Sequence, residues 1–392
     1  MKSGISVVAH NLDFGGAATA CKRLVFTYEN LNLNVTKYLV SNRNEGISRF
    51  SLKNFFKLRS AIISRLDSTL CKFLEKNKEH WCSSGMLGQI SASKIEKSKP
   101  MFVNIHWVGH ATISLRQIAR LNSPVVITAH DEWWLNAYSH YSTQSQGEHY
   151  GQFAKFTRAK VIKHKVDILR KANVGVVCLS EEMKNKFLSQ YPFLTERIAV
   201  IPNPVNADIF YPRDSTNSAS STRIVAYLGG FSDKRKGYDL LLEALTQSEE
   251  EFIVSAPGFD GVLITGKNNQ VKVVGMPRIT NESEMNNLFN TAEVTVVPSR
   301  KEALPQVATE SLMAGTPVVS FHVGGLIDIV IDEVSGFKVD NFDTKKLALT
   351  IDHCINSLVK KKMQPQHFAE KLFSNTIVGE AYLAFSKRLI SE

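Results

Sequence analysis

Ten short runs of β-branched and aliphatic residues recur along the chain, each five to seven residues long and separated by helix-length stretches. In the first half they are ISVVA (5–9), NVTKYLV (34–40), MFVNIHW (101–107), VVITAH (125–130) and VGVVCL (174–179). In the second half they are RIVAYLG (223–229), EFIVS (251–255), VKVVG (271–275), VTVVPS (294–299) and TPVVSF (316–321). Runs that are apolar throughout fit strands buried on both faces, as parallel sheets covered by helices require. The pattern occurs twice, which predicts two doubly wound α/β domains.

The length of 392 residues agrees with two domains. The seam is expected in VIPNPVNADIFYPRDSTNSASS (200–221), where three prolines precede a Ser/Thr/Asn run. The expected division is 1–200, 201–370 and a C-terminal helix over 371–392 that returns toward the N-terminal domain. No apolar run approaches the roughly 20 residues of a membrane span. The start, MKSGISVVAHNLDFGGAATA, reads as a strand and loop rather than a signal peptide. Five scattered cysteines without a CxxC argue against a disulfide framework or a zinc site and fit a reducing cytoplasm.

Charge is unevenly distributed. Residues 1–200 carry 28 Lys+Arg against 14 Asp+Glu, and residues 201–392 carry 19 against 23. A basic first half fits an anionic partner (nucleic acid, phospholipid headgroups or a phosphorylated substrate) or a lysine-rich solvated surface. Two stretches mix apolar and basic residues. SLKNFFKLRSAIISRLDSTLCKFLEKNKEHW (51–81) contains Lys53, Lys57, Arg59, Arg65, Lys72, Lys76 and Lys78, and KFTRAKVIKHKVDILRK (155–171) is similar. Basic amphipathic helices either lie on anionic membranes or pack as surface helices.

Ligands of open α/β sheets bind outside the carboxyl ends of the strands. After the first strand, HNLDFGGAATACKRL places Gly15 and Gly16 before a helix, which makes a close backbone approach to an anion or a plain tight turn. VVITAHDEWW ends in His130, Asp131 and Glu132. A strand-end histidine facing a cleft bonds a substrate hydroxyl or shuttles a proton, unless it is a satisfied structural histidine. NIHWVGH adds His106 and His110 as candidates for the same cleft floor. In YLGGFSDKRKGYDLLLEAL, the cations Lys234, Arg235 and Lys236 precede a helix, which suits a diphosphate or an exposed basic turn. Finally, PSRKEALPQVATESLMAGTPVVS holds Glu302 and Glu310 on either side of Pro305. The proline disfavours helix at Leu304, so Glu302 belongs to a loop and Glu310 to a helix with Pro305 at its first position. FHVGGLIDIVID offers Gly324 and Gly325 as a further backbone nest. The chain has no GxSxG elbow, DxD clamp or nucleic-acid readout pattern.

VPSRKEALPQVATESLMAGTPVVSFHVGG resembles the E-x7-E region and the following GTPVV and GG elements of the retaining glycosyltransferases of family 4. PNPVNADIF and KRKGYDLLLEAL resemble that family's linker and KG-plus-helix element. HWVGH with TAHDEWW resembles a subgroup that builds capsules, exopolysaccharides and O-antigens. The resemblance implies the GT-B fold, two Rossmann-like domains facing across a cleft. It implies transfer of a sugar from a nucleoside diphosphate sugar to a hydroxyl of a glycan, with retention and without a metal or other cofactor. On this resemblance Glu302 contacts the donor sugar and Glu310 the ribose. The N–H groups near Leu304, Gln306 and Val307 face the diphosphate or sugar. Lys236 stabilises the leaving phosphate, Gly16 lies near the donor phosphates and His130 near the transferred sugar. His106, His110 and Asp131 are acceptor-side candidates. The acceptor is expected to be linked to a polyprenyl diphosphate, which places the protein in the cytoplasm and on the inner membrane surface. No nucleic acid is expected. Two features depart from the family. An Arg usual six residues before the KG lysine is Gly230 here, leaving Lys234 or Arg235 to replace it. The subgroup's cysteines after the histidine-rich strand are absent from SHYSTQSQGEHYGQF (139–153). Other readings are a nucleotide-sugar hydrolase or epimerase, and a catalytically silent binding subunit.

Overall fold

The computed structural model describes residues 4–40, 52–74, 82–141, 152–213, 223–340, 342–360 and 362–391. Lys76, Lys78, most of the 139–153 stretch, the Ser/Thr/Asn run of the seam and the side chains of Lys53 and Lys57 lie outside the described residues. The chain divides into two compact units, Met1–Asn203 with Val378–Glu392, and Pro204–Ile377.

The first unit holds strands β1 (Ile5–Ala9), β2 (Val35–Leu39), β3 (Phe102–Ile105), β4 (Val125–Ala129), β5 (Val174–Cys178) and β6 (Ile198–Val200). They form one sheet in the order β2-β1-β3-β4-β5-β6, with every pairing parallel. The order reverses between β1 and β3, so the loops after these strands diverge and leave a crevice at their carboxyl ends. Helix Gly16–Asn30 buries Cys21, Leu24, Val25 and Tyr28 against this sheet. Helix Asn375–Ser391 adds Val378, Tyr382, Phe385 and Leu389 to the same core, an i, i+4, i+7, i+11 stripe. Gly175 in β5 lets it approach: a Cβ there would stand 2.8 Å from both Phe385 and Leu389.

The second unit holds β7 (Arg223–Ala226), β8 (Phe252–Pro257), β9 (Val262–Thr265), β10 (Val271–Met276), β11 (Val294–Val297), β12 (Val318–Phe321) and β13 (Gly336–Val339). Their order is β13-β12-β11-β7-β8-β10-β9. All pair in parallel except β9, which runs antiparallel to β10. That exception corrects the all-parallel expectation: only five residues join β9 to β10, enough for a hairpin and too few for a crossover. The order reverses between β7 and β11, which sets the second crevice at their carboxyl ends. The connector packs on this unit, with Val205 and Phe210 fully buried.

Candidate active site

In the second unit the switch point brings two loops together. The loop after β7 forms a short 3-10 turn at Lys234–Lys236, capped by Asp233, whose carboxylate accepts from the Arg235 N–H at 3.0 Å. Gly237 ends the turn in the left-handed region, φ +71°, against the Pro298 carbonyl of the loop after β11. Arg300 ties the loops further. Its N–H donates to the Arg235 carbonyl at 2.8 Å, and its guanidinium donates to the Lys234 carbonyl at 2.7 Å and to both oxygens of Asp239.

This clamp delivers Lys236 to Glu302. The ammonium lies 2.6 Å from Glu302 Oε1, which also accepts from the Ser299 hydroxyl at 2.8 Å. Arg235 stands 3.5 Å from Oε2. Lys236 and Arg235 are balanced by the Glu302 and Asp233 carboxylates, and Lys234 in the same turn supplies the surplus positive charge that suits a diphosphate. Arg235 is held by Asp233 and the Lys301 carbonyl, whereas Lys234 is exposed.

Glu302 lies on the loop and Glu310 in the second turn of helix Gln306–Met313. Pro305 is the N-cap rather than the first helical residue. Its ψ of 122° is extended, and its carbonyl takes the N–H groups of Ala308 and Thr309. Gln306 and Val307 are therefore the first two helical residues, whose N–H groups have no intrahelical acceptor. Leu304 is buried just before them. Gly324 and Gly325 brace this loop from behind. The Gly325 N–H donates to the Ala303 carbonyl at 2.8 Å, and Gly324 passes so close to Glu302 that a Cβ would lie 1.8 Å from its carbonyl oxygen. The Gly325 N–H is thus a strut, not part of an anion nest.

In the first unit His10, His106 and His130 follow the carboxyl ends of β1, β3 and β4. Gly15 (φ +89°) turns the chain into helix Gly16–Asn30, which has no side-chain cap and no acidic residue in its first turn. The Asn11 side chain shapes this loop by accepting from the N–H groups of Asp13 and Phe14. His110 packs its ring against His10 and Trp107, while its carbonyl accepts from Ser64.

Two acceptor-side candidates are corrected. His106 is buried, and both its ring nitrogens are engaged, with His130 at 2.9 Å and Asn104 at 3.1 Å. Asp131 likewise turns inward: one oxygen accepts from the Trp133 N–H at 2.9 Å and the other meets His140 Nδ1 at 2.6 Å. The Ser83 hydroxyl lies 2.8 Å from His140 Nε2, which completes the spacing of a serine nucleophile relay. Ser83 and His140 are each only 2% exposed, so the trio fastens the 131–141 loop. Buried Lys165 fastens it too, donating to the carbonyls of Trp133, Asn136 and Ala137.

Burial pushes His130 down to about 4 despite the opposing pull of Asp131. Burial, with His110 second, pushes His10 down to about 4. His106 falls well below its ordinary value through burial and then His130. These rings are neutral when folded and take up protons near pH 6.5 when unfolded. The unfolded chain thus binds more protons as pH falls from 6.5 toward 4, and stability is lost over that window. Melting temperatures measured from pH 7.5 to 4.5 should decline below 6.5, less steeply in His10→Gln. Identical profiles for the two proteins would contradict the assignment.

Among the described residues no group of three or more His, Cys, Asp or Glu is arranged to hold a metal ion. No described helix is long and apolar enough to cross a membrane.

Paired cations and carboxylate at one switch point, and a histidine-lined edge on a second Rossmann-like sheet, define a protein of the GT-B class. A family model described as Glycosyltransferase Family 4 matches residues 86–209, and one described as Glycosyl transferases group 1 matches residues 222–357. Both matched segments belong to glycosyltransferase families. The chain is 29% identical over 213 residues to a D-inositol 3-phosphate glycosyltransferase of Mycolicibacterium smegmatis, covering 50% of this chain and 48% of that one. The chain spans about half the length of the curated relatives it matches. Among solved structures, sucrose-phosphate synthase from Thermosynechococcus elongatus superposes with a TM-score of 0.64 at 19% identity, covering 99% of both chains. Anabaena HepE in complex with UDP superposes at 0.57 with 15% identity, covering 100% of both. At these identities the likeness establishes the fold.

Ser299, Arg300, His10 and Asn104 escaped the sequence reading. Asn104 was the most findable, as a lone amide inside the otherwise apolar run FVNI.

Proposed function

We propose that the protein is a retaining glycosyltransferase that moves a sugar from a nucleoside diphosphate sugar to a hydroxyl of a lipid-linked glycan. The observation that carries this is the Lys236–Glu302 pair at the β7/β11 switch point, inside the segment that matches the group 1 family. In this reading a donor diphosphate takes Lys236, which stabilises the charge that develops on the leaving phosphate. Glu302 then accepts hydrogen bonds from sugar hydroxyls, and Glu310 holds the ribose. The N–H groups of Gln306 and Val307 face the phosphates or sugar. His130 stands by the transferred sugar. The acceptor attacks from the face the phosphate leaves, and the phosphate takes its proton, so neither a covalent nucleophile nor a metal is required.

HepE has been solved with UDP and with UDP-glucose, which makes uridine donors the first to try. The test is nucleoside diphosphate release from UDP-, GDP- and ADP-sugars, with and without lipid-linked glycan extract and EDTA. Acceptor-dependent, EDTA-insensitive release is expected. Release without acceptor would favour a hydrolase or epimerase, and donor binding without turnover a silent subunit.

Lys234, exposed beside the pair, is assigned as the second diphosphate cation. Gly230 leaves room for another: a Cβ there meets only the Asp233 Cβ at 3.5 Å. Gly230→Arg should tighten nucleoside diphosphate binding about tenfold, the contribution of one charge-assisted hydrogen bond. Unchanged affinity by calorimetry would show that a side chain at position 230 does not reach the diphosphate.

The membrane reading rests on two helices of the first unit. Leu52–Leu74 exposes Leu58, Ile62, Leu66 and Phe73 beside Arg59, Arg65 and Lys72. Gln152–Leu169 exposes Phe153 and Phe156 beside Lys155, Lys160 and Lys163. These surfaces suit the anionic inner face of the cell membrane, where a polyprenyl diphosphate acceptor would lie. Binding to anionic vesicles should fall steeply between low and physiological salt. Salt-insensitive binding, or none, would contradict it.

A further inference from the structure

A buried polar chain runs behind His130. It starts at Asn104 in β3, whose side-chain amide donates to the Val126 carbonyl at 3.1 Å and to the Thr128 hydroxyl at 3.0 Å. A backbone carbonyl only accepts, so the Asn104 amide has one orientation and its Oδ1 points the other way. Oδ1 accepts from the Tyr28 hydroxyl at 3.2 Å and lies 3.1 Å from His106 Nε2. An amide oxygen also only accepts, so His106 carries its proton on Nε2. His106 is enclosed and neutral, and its Nδ1 is therefore a lone pair. That lone pair sits 2.9 Å from His130 Nε2, so His130 Nε2 must donate. His130 is neutral as well, which leaves a lone pair on its Nδ1. The two rings meet edge to edge, with centroids 5.2 Å apart and planes 27° from parallel, as a bond between ring nitrogens requires. Thr128 carries the chain on to the Tyr382 hydroxyl at 3.1 Å, on the C-terminal helix.

We infer that Asn104, acting through His106, locks His130 in the tautomer protonated on Nε2, so that Nδ1 is presented as a hydrogen-bond acceptor for a sugar hydroxyl. Asn104 and His106 are positioning residues. The inference rests on the transferase reading for the identity of the ligand, but the tautomer does not. It also deepens that reading. An acceptor nitrogen selects an O–H and repels a phosphate oxygen, which has no proton to give, so His130 addresses the sugar rather than the diphosphate. A donor sugar without the matching hydroxyl loses this bond.

The test is ¹⁵N NMR of histidine-labelled protein at pH 7, with His130 assigned by difference against His130→Gln. The expected spectrum shows a protonated Nε2 and an unprotonated Nδ1. A proton on Nδ1, an imidazolium, or an averaged pair of tautomers would overturn the inference, and this requires no variant of the chain behind the ring. Asn104→Ala should then give averaged His130 signals and a roughly tenfold lower kcat, with nucleoside diphosphate affinity unchanged. His130 signals unaltered in Asn104→Ala would also overturn it. A wild type with the expected tautomer that transfers from no donor would support the positioning chain and refute the transferase reading.

Discussion

Glu302→Gln is expected to lower acceptor-dependent transfer by about 10²- to 10³-fold, the range for loss of one preorganised electrostatic contact. The amide keeps the size of the carboxylate but not its charge. It cannot answer the Lys236 ammonium as an ion, nor accept through both oxygens from vicinal hydroxyls. Folding should be little affected. Lys236 is about a quarter exposed and Arg235 keeps Asp233, so neither cation is left buried and unpaired when Glu302 loses its charge. The check is kcat for wild type and variant beside a melting curve for each. Lost activity with an unchanged melting temperature is the expected result. Full activity would remove Glu302 from the site, and a collapsed melting temperature would make its role structural.

Gly237→Ala is expected to destabilise the second unit strongly. Two costs coincide there. The left-handed backbone disfavours any side chain by about 1–2 kcal/mol. A Cβ would also stand 1.9 Å from the Pro298 carbonyl oxygen, so the loops after β7 and β11 must separate. Overpacking of this kind adds about 1–3 kcal/mol. A total near 3 kcal/mol lowers the melting temperature of a unit this size by about 6 °C or more. Two other glycines separate the causes. Gly258 has φ +85° but open space, so Gly258→Ala should cost only the backbone term. Gly230 has neither constraint, so Gly230→Ala should be nearly neutral. Equal melting temperatures for Gly237→Ala and Gly230→Ala would show that the loop contact is not what holds Lys236 in place.

The ten strands expected from the sequence are all present: β1, β3, β4, β5, β11 and β12 are buried along their whole length, and the other four pair into the same two sheets. The three unexpected strands are β6, β9 and β13. All are sheet edges, where a short strand with one open side needs no continuous apolar run. β9 is half-exposed along its length and alternates accordingly. Glu302, Glu310 and Lys236 were legible because their motif is local in the chain. The Lys236–Glu302 contact was not, since it joins positions 66 residues apart through strand order. The same limit applies to the histidines. His106 and His130 look alike in sequence as polar residues after apolar strands. Only the packing of β3 beside β4 makes one the support of the other. Asp131 was misplaced for a similar reason, because its partner His140 closes a loop whose conformation the sequence does not announce.

The central claim is that Glu302 and Glu310 hold different parts of one nucleotide sugar. Calorimetric titration of UDP and of the accepted UDP-sugar into wild type, Glu302→Gln and Glu310→Ala tests it most directly. Glu310→Ala should weaken both ligands alike. Glu302→Gln should weaken only the sugar-bearing ligand and leave UDP within about twofold, since a hydrogen bond to the absent sugar contributes nothing. Equal weakening of UDP and UDP-sugar by Glu302→Gln, or unchanged binding of both by Glu310→Ala, would contradict the account.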